Sequence, residues 1–263
     1  MESTAELQQH LKEIEAWEQD QKGLWFWEKI SRLPFRLLDK VTPRFLQEKL
    51  GQIIAELGKY VQTGGQYLVS EKSLIKTAQK KSSAPIESIA DIAQLPLSIM
   101  QQLTNEVVKS RVQFATMQGA STGFGGLFTL AIDIPAVLGT ALKTLQEISI
   151  LHGYDPKDEK ERIFIVKCLQ FASSDVVGKE AILNEISAMH TGTVSQKEMI
   201  SQLKGWQEMF MTYRDHYGWK KLFQMIPVAG IIFGAYANKS MIQDIAEVGT
   251  MLYRKRRIYE RLN

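Results

Sequence analysis

The sequence predicts an all-α protein, a multi-helix bundle whose glycine-bearing apolar helices either pack closely or enter a membrane. Apolar residues recur at three- and four-residue spacings along almost all of the 263-residue chain, the period of helices with one buried face. Few β-branched runs alternate with polar residues, and no convincing strand emerges. Hydrophobic residues make up 44% and charged residues 23%, a composition that folds rather than staying disordered.

The pattern places helices near 5–20, 23–32, 35–60, 86–111, 121–150, 158–173, 175–189, 195–214 and 238–261. The breaks have local causes. Gly64-Gly65 interrupts one helix, and residues 80–85 (Lys-Lys-Ser-Ser-Ala-Pro) form a polar connector. Gly153-Tyr154-Asp155-Pro156 is a turn that leads into an acidic helix start. The connector divides an amphipathic N-terminal region, 1–85, from a more apolar helical core, 86–263.

The single cysteine, Cys168, lies in an apolar stretch and reads as a small core residue. The N-terminus is acidic where an export signal would carry positive charge before an apolar run, so a cytoplasmic location is expected. A formal net charge of +3 is small, yet unevenly spread. Up to Gln21 there are six acids against Lys12 alone. From Lys22 to Lys59 there are eight bases against four acids, and from Met251 onward five bases against one acid.

On a helical wheel Phe26, Trp27, Ile30, Leu33, Leu37, Leu38 and Val41 share an arc of about 140°, opposite Lys29, Arg32, Arg36 and Lys40. An interfacial helix has this pattern, with its basic face toward anionic phosphates. Trp17, Trp25 and Trp27 suit the headgroup boundary. Any surface helix of a bundle has the same two faces, and Pro34 would bend this one. The basic end Arg254-Lys255-Arg256-Arg257 reads as a second anionic-lipid patch or as a solvated helix end favoured by the macrodipole. Without a DNA-binding motif, nucleic acid is not an expected partner.

Between Arg111 and Asp133 stand 21 residues without formal charge, about the length that crosses a bilayer core. Four glycines and several Gln, Ser and Thr make the segment a poor hydrocarbon-facing helix. A second uncharged run covers 222–238 and contains Pro227. Ala115, Gly119 and Gly123 recur at every fourth position, as do Gly230 and Gly234. With Gly126, they supply small residues for close helix approach, in lipid or in a soluble bundle.

Four acids are candidates for chemistry. Asp133 and Glu147 lie 14 residues apart, within about 40° of one helix face; Asp244 and Glu247 are a second pair at helical spacing. The structural alternatives are Asp133 as a helix N-cap before Pro135 and Glu147 paired with Lys143. No HExxH, GxSxG, P-loop or kinase signature occurs, the four histidines are scattered, and no metal or cofactor is implied.

The run GASTGFGGLFTLAIDIPAVLGTALKTLQEISILHGYDP, the helix RIFIVKCLQFASS and the late segment IPVAGIIFGAYANKSMIQDIAEVGTMLYRKRRIYERL resemble the EcsC family of bacterial proteins, together with the N-terminal EIEAWE. The matching positions are Gly119, Gly123, Gly126, Asp133, Pro135, Glu147, Gly153, Pro227, Gly230, Gly234, Asn238, Asp244 and Glu247. Apart from the acids, they are residues of backbone geometry. The resemblance implies a family named for a gene beside an ABC transporter, with no catalytic motif to carry over. The expectation is a membrane-associated helical accessory protein, peripheral at the inner face of the cell membrane. Its partners would be an anionic membrane surface and a membrane transporter. The alternatives are a hydrolase or metal-dependent enzyme using the four carboxylates, and a soluble protein-interaction module.

Overall fold

The computed structural model describes residues 2–21, 60, 69–122, 127–173, 176–190 and 235–262, without the side chains of 120–122, 127–135, 173, 176–178, 188–190 and 235–237. Eight helices and no strand occur among them: α1 Thr4–Asp20, α2 Glu71–Gln79, α3 Ile89–Ala93, α4 Leu97–Thr122, α5 Leu127–Leu151, α6 Glu159–Ser173, α7 Val176–His190 and α8 Ala235–Leu262.

Local chemistry starts and stops these helices. Ser3 accepts from the Glu6 amide at 3.3 Å while the Glu6 carboxylate accepts from the Ser3 amide at 2.7 Å, so two N-terminal donors of α1 are satisfied reciprocally. Ser88 and Asp91 repeat the device on α3. Helix α5 closes on Gly153, whose φ of 83° suits a residue without a side chain. The Gly153 amide donates to the Ile150 carbonyl at 2.9 Å and the Tyr154 amide to Ser149 at 3.0 Å. A Cβ at Gly153 would also stand 2.5 Å from Ala93, so α3 packs where only glycine fits.

The C-terminal helix α8 is the axis of the fold, in contact with α1, α4, α5 and α6. Ile258 shares an apolar cluster with Leu97, Met100 and Leu103 at the start of α4 and with Ile150 and Leu151 at the end of α5. Ile242 and Ile245 share the other cluster with Ala115 of α4 and Val137 of α5. Helix α8 therefore runs antiparallel to α4 and parallel to α5. Gly249 sets the spacing of the second pair. A Cβ there would lie 2.6 Å from Leu145 Cδ2 and 3.3 Å from Ile148 Cδ1. Leu7 and Ile14 of α1, with Leu74 and Ala78 of α2, complete the first cluster, so both described helices of 1–85 pack on the helices that follow.

Several helix boundaries differ from the expected ones. The helix expected over 86–111 is two, because Pro96 cannot continue α3; its carbonyl instead accepts the amides of Ile99 and Met100 as α4 begins. Helix α4 then continues to Thr122, past the end expected at 111. Helix α2 was not expected. Asp133 is inside α5, six residues after its first, and therefore is not an N-cap. The helices expected over 23–32, 35–60 and 195–214 lie outside the described residues, apart from Tyr60.

Candidate functional site

Of the four acids, Glu147 and Glu247 meet separate partners. Glu147, 4% exposed, accepts both Nε and Nη2 of Arg111 at 2.7 Å, a planar two-bond pair that links α5 to α4. Arg111, rather than Lys143, is its partner. Glu247 accepts the Trp17 indole N–H at 2.6 Å. Asp244 is half-buried one turn earlier, and the Asp133 side chain lies outside the described residues. No group of three or more His, Cys, Asp or Glu side chains able to hold a metal occurs among the described residues.

The basic run near the end of α8 turns inward, in place of the expected exposed patch. Arg256 pairs with Glu161 of α6 at 2.6 Å and lies 4.0 Å above the Tyr154 ring. Arg257 donates to the His152 carbonyl at 3.0 and 2.6 Å, capping the C-terminus of α5, and to Glu260 at 2.8 Å. Lys255 Nζ stands 2.7 Å from both oxygens of Glu18. Arg254 meets Glu13 at 3.1 Å and His10, and Arg261 meets Glu2 at 2.6 Å. Charge drives this arrangement. Acids of the first helix face cations of the last, a pairing foreshadowed by the opposite charge bias of the two chain ends.

Around Arg256 the interior is polar and crowded. Tyr253 donates to Glu161 at 3.4 Å and packs edge-on against Phe164. Burial pushes the Glu161 carboxyl above its ordinary range, against the pull of Arg256. Burial likewise drives the Cys168 thiol and the Tyr253 phenol upward. His152, stacked near Tyr253, donates Nδ1 to the Ile148 carbonyl at 2.8 Å; burial lowers it to about 4. Every named partner is another side chain or a helix end. The cluster ties α5, α6 and α8 together.

Phe114 is 53% and Met117 72% exposed, the large apolar side chains left open among the described residues. They stand one turn apart on α4 within the uncharged stretch 112–132, beside exposed Gln113. Ala115, on the opposite side of the helix, is fully buried in the core, and Gly119 is buried one turn later. Near this end of α4, Ala115 and Gly119 thus pack inward while Phe114 and Met117 face out. Gly123, Gly126, Gly230 and Gly234 lie outside the described residues. So do the lipid-facing candidates Trp25, Phe26, Trp27, Lys29, Arg32, Arg36 and Lys40. Trp17 is not free for lipid; besides its bond to Glu247 it packs 5.9 Å from the Phe171 ring. No described helix is long and apolar enough to cross a membrane.

The EcsC protein family model matches residues 8–258. The chain belongs to the EcsC family. The matched range includes the Trp17–Glu247 tie, the Arg111–Glu147 pair and most of α8. Among EcsC relatives, "Uncharacterized protein YdbA" of Bacillus subtilis (strain 168) is 57% identical over 258 residues, covering 98% of this chain and 94% of the relative. "Protein EcsC" of the same organism is 28% identical over 230 residues, 88% of each chain. No solved structure matches.

Proposed function

We propose that this EcsC-family protein is a membrane-associated helical accessory protein, peripheral at the inner face of the cell membrane, which touches lipid through the far end of α4. The observation that carries the reading is the exposure of Phe114 and Met117 inside 21 consecutive uncharged residues. Exposed large apolar groups next to a charge-free segment suit the headgroup boundary, where no ion must be desolvated. Arg111 and Glu147 pair with each other at the near edge of the stretch.

Insertion of two apolar side chains gives reversible attachment, since burying each contributes about 1.5–3 kcal/mol. An integral membrane protein such as a transporter would present a similar apolar surface, and an accessory role there rests on the same patch. Co-sedimentation with phosphatidylcholine vesicles tests the lipid arm. Phe114→Ser/Met117→Ser is expected to weaken binding at least tenfold, with helix content unchanged. Equal binding by this variant and the wild type would sink the assignment of the patch.

A further inference from the structure

The N-terminal helix is fastened to the C-terminal helix in a way that suggests a second, covered surface. Glu247, Arg254 and Arg261 recur at seven-residue intervals on α8, and against them lie Trp17, Glu13 with His10, and Glu2 in reverse chain order. Lys255, beside this line, takes Glu18. The two helices therefore run antiparallel over nearly the whole length of α1, with Glu13 on Arg254 and Glu18 on Lys255. Of the 17 residues of α1 only Leu7 and Ile14 are fully buried. The rest of the attachment is ionic, together with the half-buried Trp17 and Leu11. With two buried apolar side chains against the many of α5 and α8, α1 opens at less cost than either of those helices.

We propose that α1 is an acidic strap over a lipid-headgroup site, with Arg254 and Lys255 of α8 forming a cationic strip that anionic phospholipid takes over from Glu13 and Glu18. The inference rests on the membrane reading above and adds its regulation. A carboxylate and a phosphate offer an arginine the same pair of acceptor oxygens, so the strap carboxylates are an internal copy of the headgroup. With α1 closed, the two cations are 16% and 10% exposed. Once α1 opens they are available to a negative surface that attracts each at about 1 kcal/mol. Arg256, Arg257 and Arg261 are outside the strip, since Glu161, the His152 carbonyl and the Ala93 and Leu95 carbonyls hold them in the interior.

The test compares the full-length variant Glu13→Gln/Glu18→Gln with Glu15→Gln/Asp20→Asn. Each removes two negative charges from α1, but Glu13 and Glu18 pair with cations of α8, whereas Glu15 and Asp20 are exposed and make no such pair among the described residues. With vesicles of phosphatidylcholine and phosphatidylglycerol at fixed salt, E13Q/E18Q is expected to reach half-maximal binding at roughly tenfold less lipid than the control pair. On pure phosphatidylcholine the two should agree. In the unmodified protein, hydrogen exchange should show the amides of 7–18 losing protection when anionic vesicles are added, while those of α8 keep theirs. Equal binding by the two charge-matched variants, or full protection of α1 in the vesicle-bound protein, would overturn the strap. Phe114→Ser/Met117→Ser separates the two readings. If that change abolishes binding while the charge-matched pair agree, the strap falls alone. If E13Q/E18Q gains affinity and the α4 change does nothing, the α4 patch falls alone.

Discussion

His152 makes the interior sensitive to acid. Its imidazole titrates at about 4 in the fold against an ordinary 6.5, because burial disfavours the cation. The unfolded chain therefore binds a proton that the folded chain refuses between pH 6.5 and 4. Stability is fully present above 6.5 and falls through that window, by about 3 kcal/mol for this group. Glu161 acts with the opposite sign: its raised carboxyl contributes stability at low pH that is lost as pH rises above its ordinary 4.5. Urea midpoints of the wild type and His152→Gln from pH 7 to 4 isolate the histidine. The wild-type curve is expected to fall more steeply, and parallel curves would contradict the assignment. The Arg111–Glu147 pair offers a second residue-scale test. Arg111→Ala leaves a carboxylate that is 5% exposed without its partner, and a loss of about 3 kcal/mol is expected. Arg111→Met/Glu147→Met should recover most of it, as measured by urea denaturation.

At the scale of elements, two glycines make opposite predictions. Gly249→Val forces branched atoms into Leu145 and Ile148 where α8 crosses α5, an overpacking that should destabilise by about 2 kcal/mol or more. A Cβ at Gly139 meets nothing within 4 Å, so Gly139→Ala should stabilise by up to about 1 kcal/mol through helix propensity. Thermal midpoints of the two variants should move in opposite directions. Helix α1 was legible within a residue at its start from its apolar period, and the Ser3–Glu6 capping box fixes that start in the structure. Helices α6 and α7 were equally legible. The division at Pro96 was missed because apolar spacing continues through it, although the missing amide is itself a sequence signal. Helix α2 was missed in a short segment after Gly64-Gly65, where its two buried residues, Leu74 and Ala78, give little periodicity to read.

Across the whole molecule, charge along the chain was informative, but the partner it meets in the fold was not visible in it. An acidic first segment and a basic last segment describe two helices that neutralise each other, and a one-dimensional reading assigns the basic one to solvent or lipid. The chain ends meet because α8 runs back along α4 to its start, where the Glu2 carboxylate reaches both Arg261 and the Leu97 amide. No local pattern specifies a contact 259 residues apart. The exposed pair on α4 was hidden for a related reason: Phe114 and Met117 are apolar like their buried neighbours, and only packing shows which face is covered. The charge-free length of 112–132 was visible, and it is still the strongest sequence signal for lipid.

Vesicle co-sedimentation of the wild type beside Phe114→Ser/Met117→Ser tests the central claim most directly. The expected result is wild-type binding to phosphatidylcholine vesicles, reduced at least tenfold in a variant that keeps its helix content. Wild-type protein left in the supernatant, or a variant that sediments equally, would contradict lipid contact through α4.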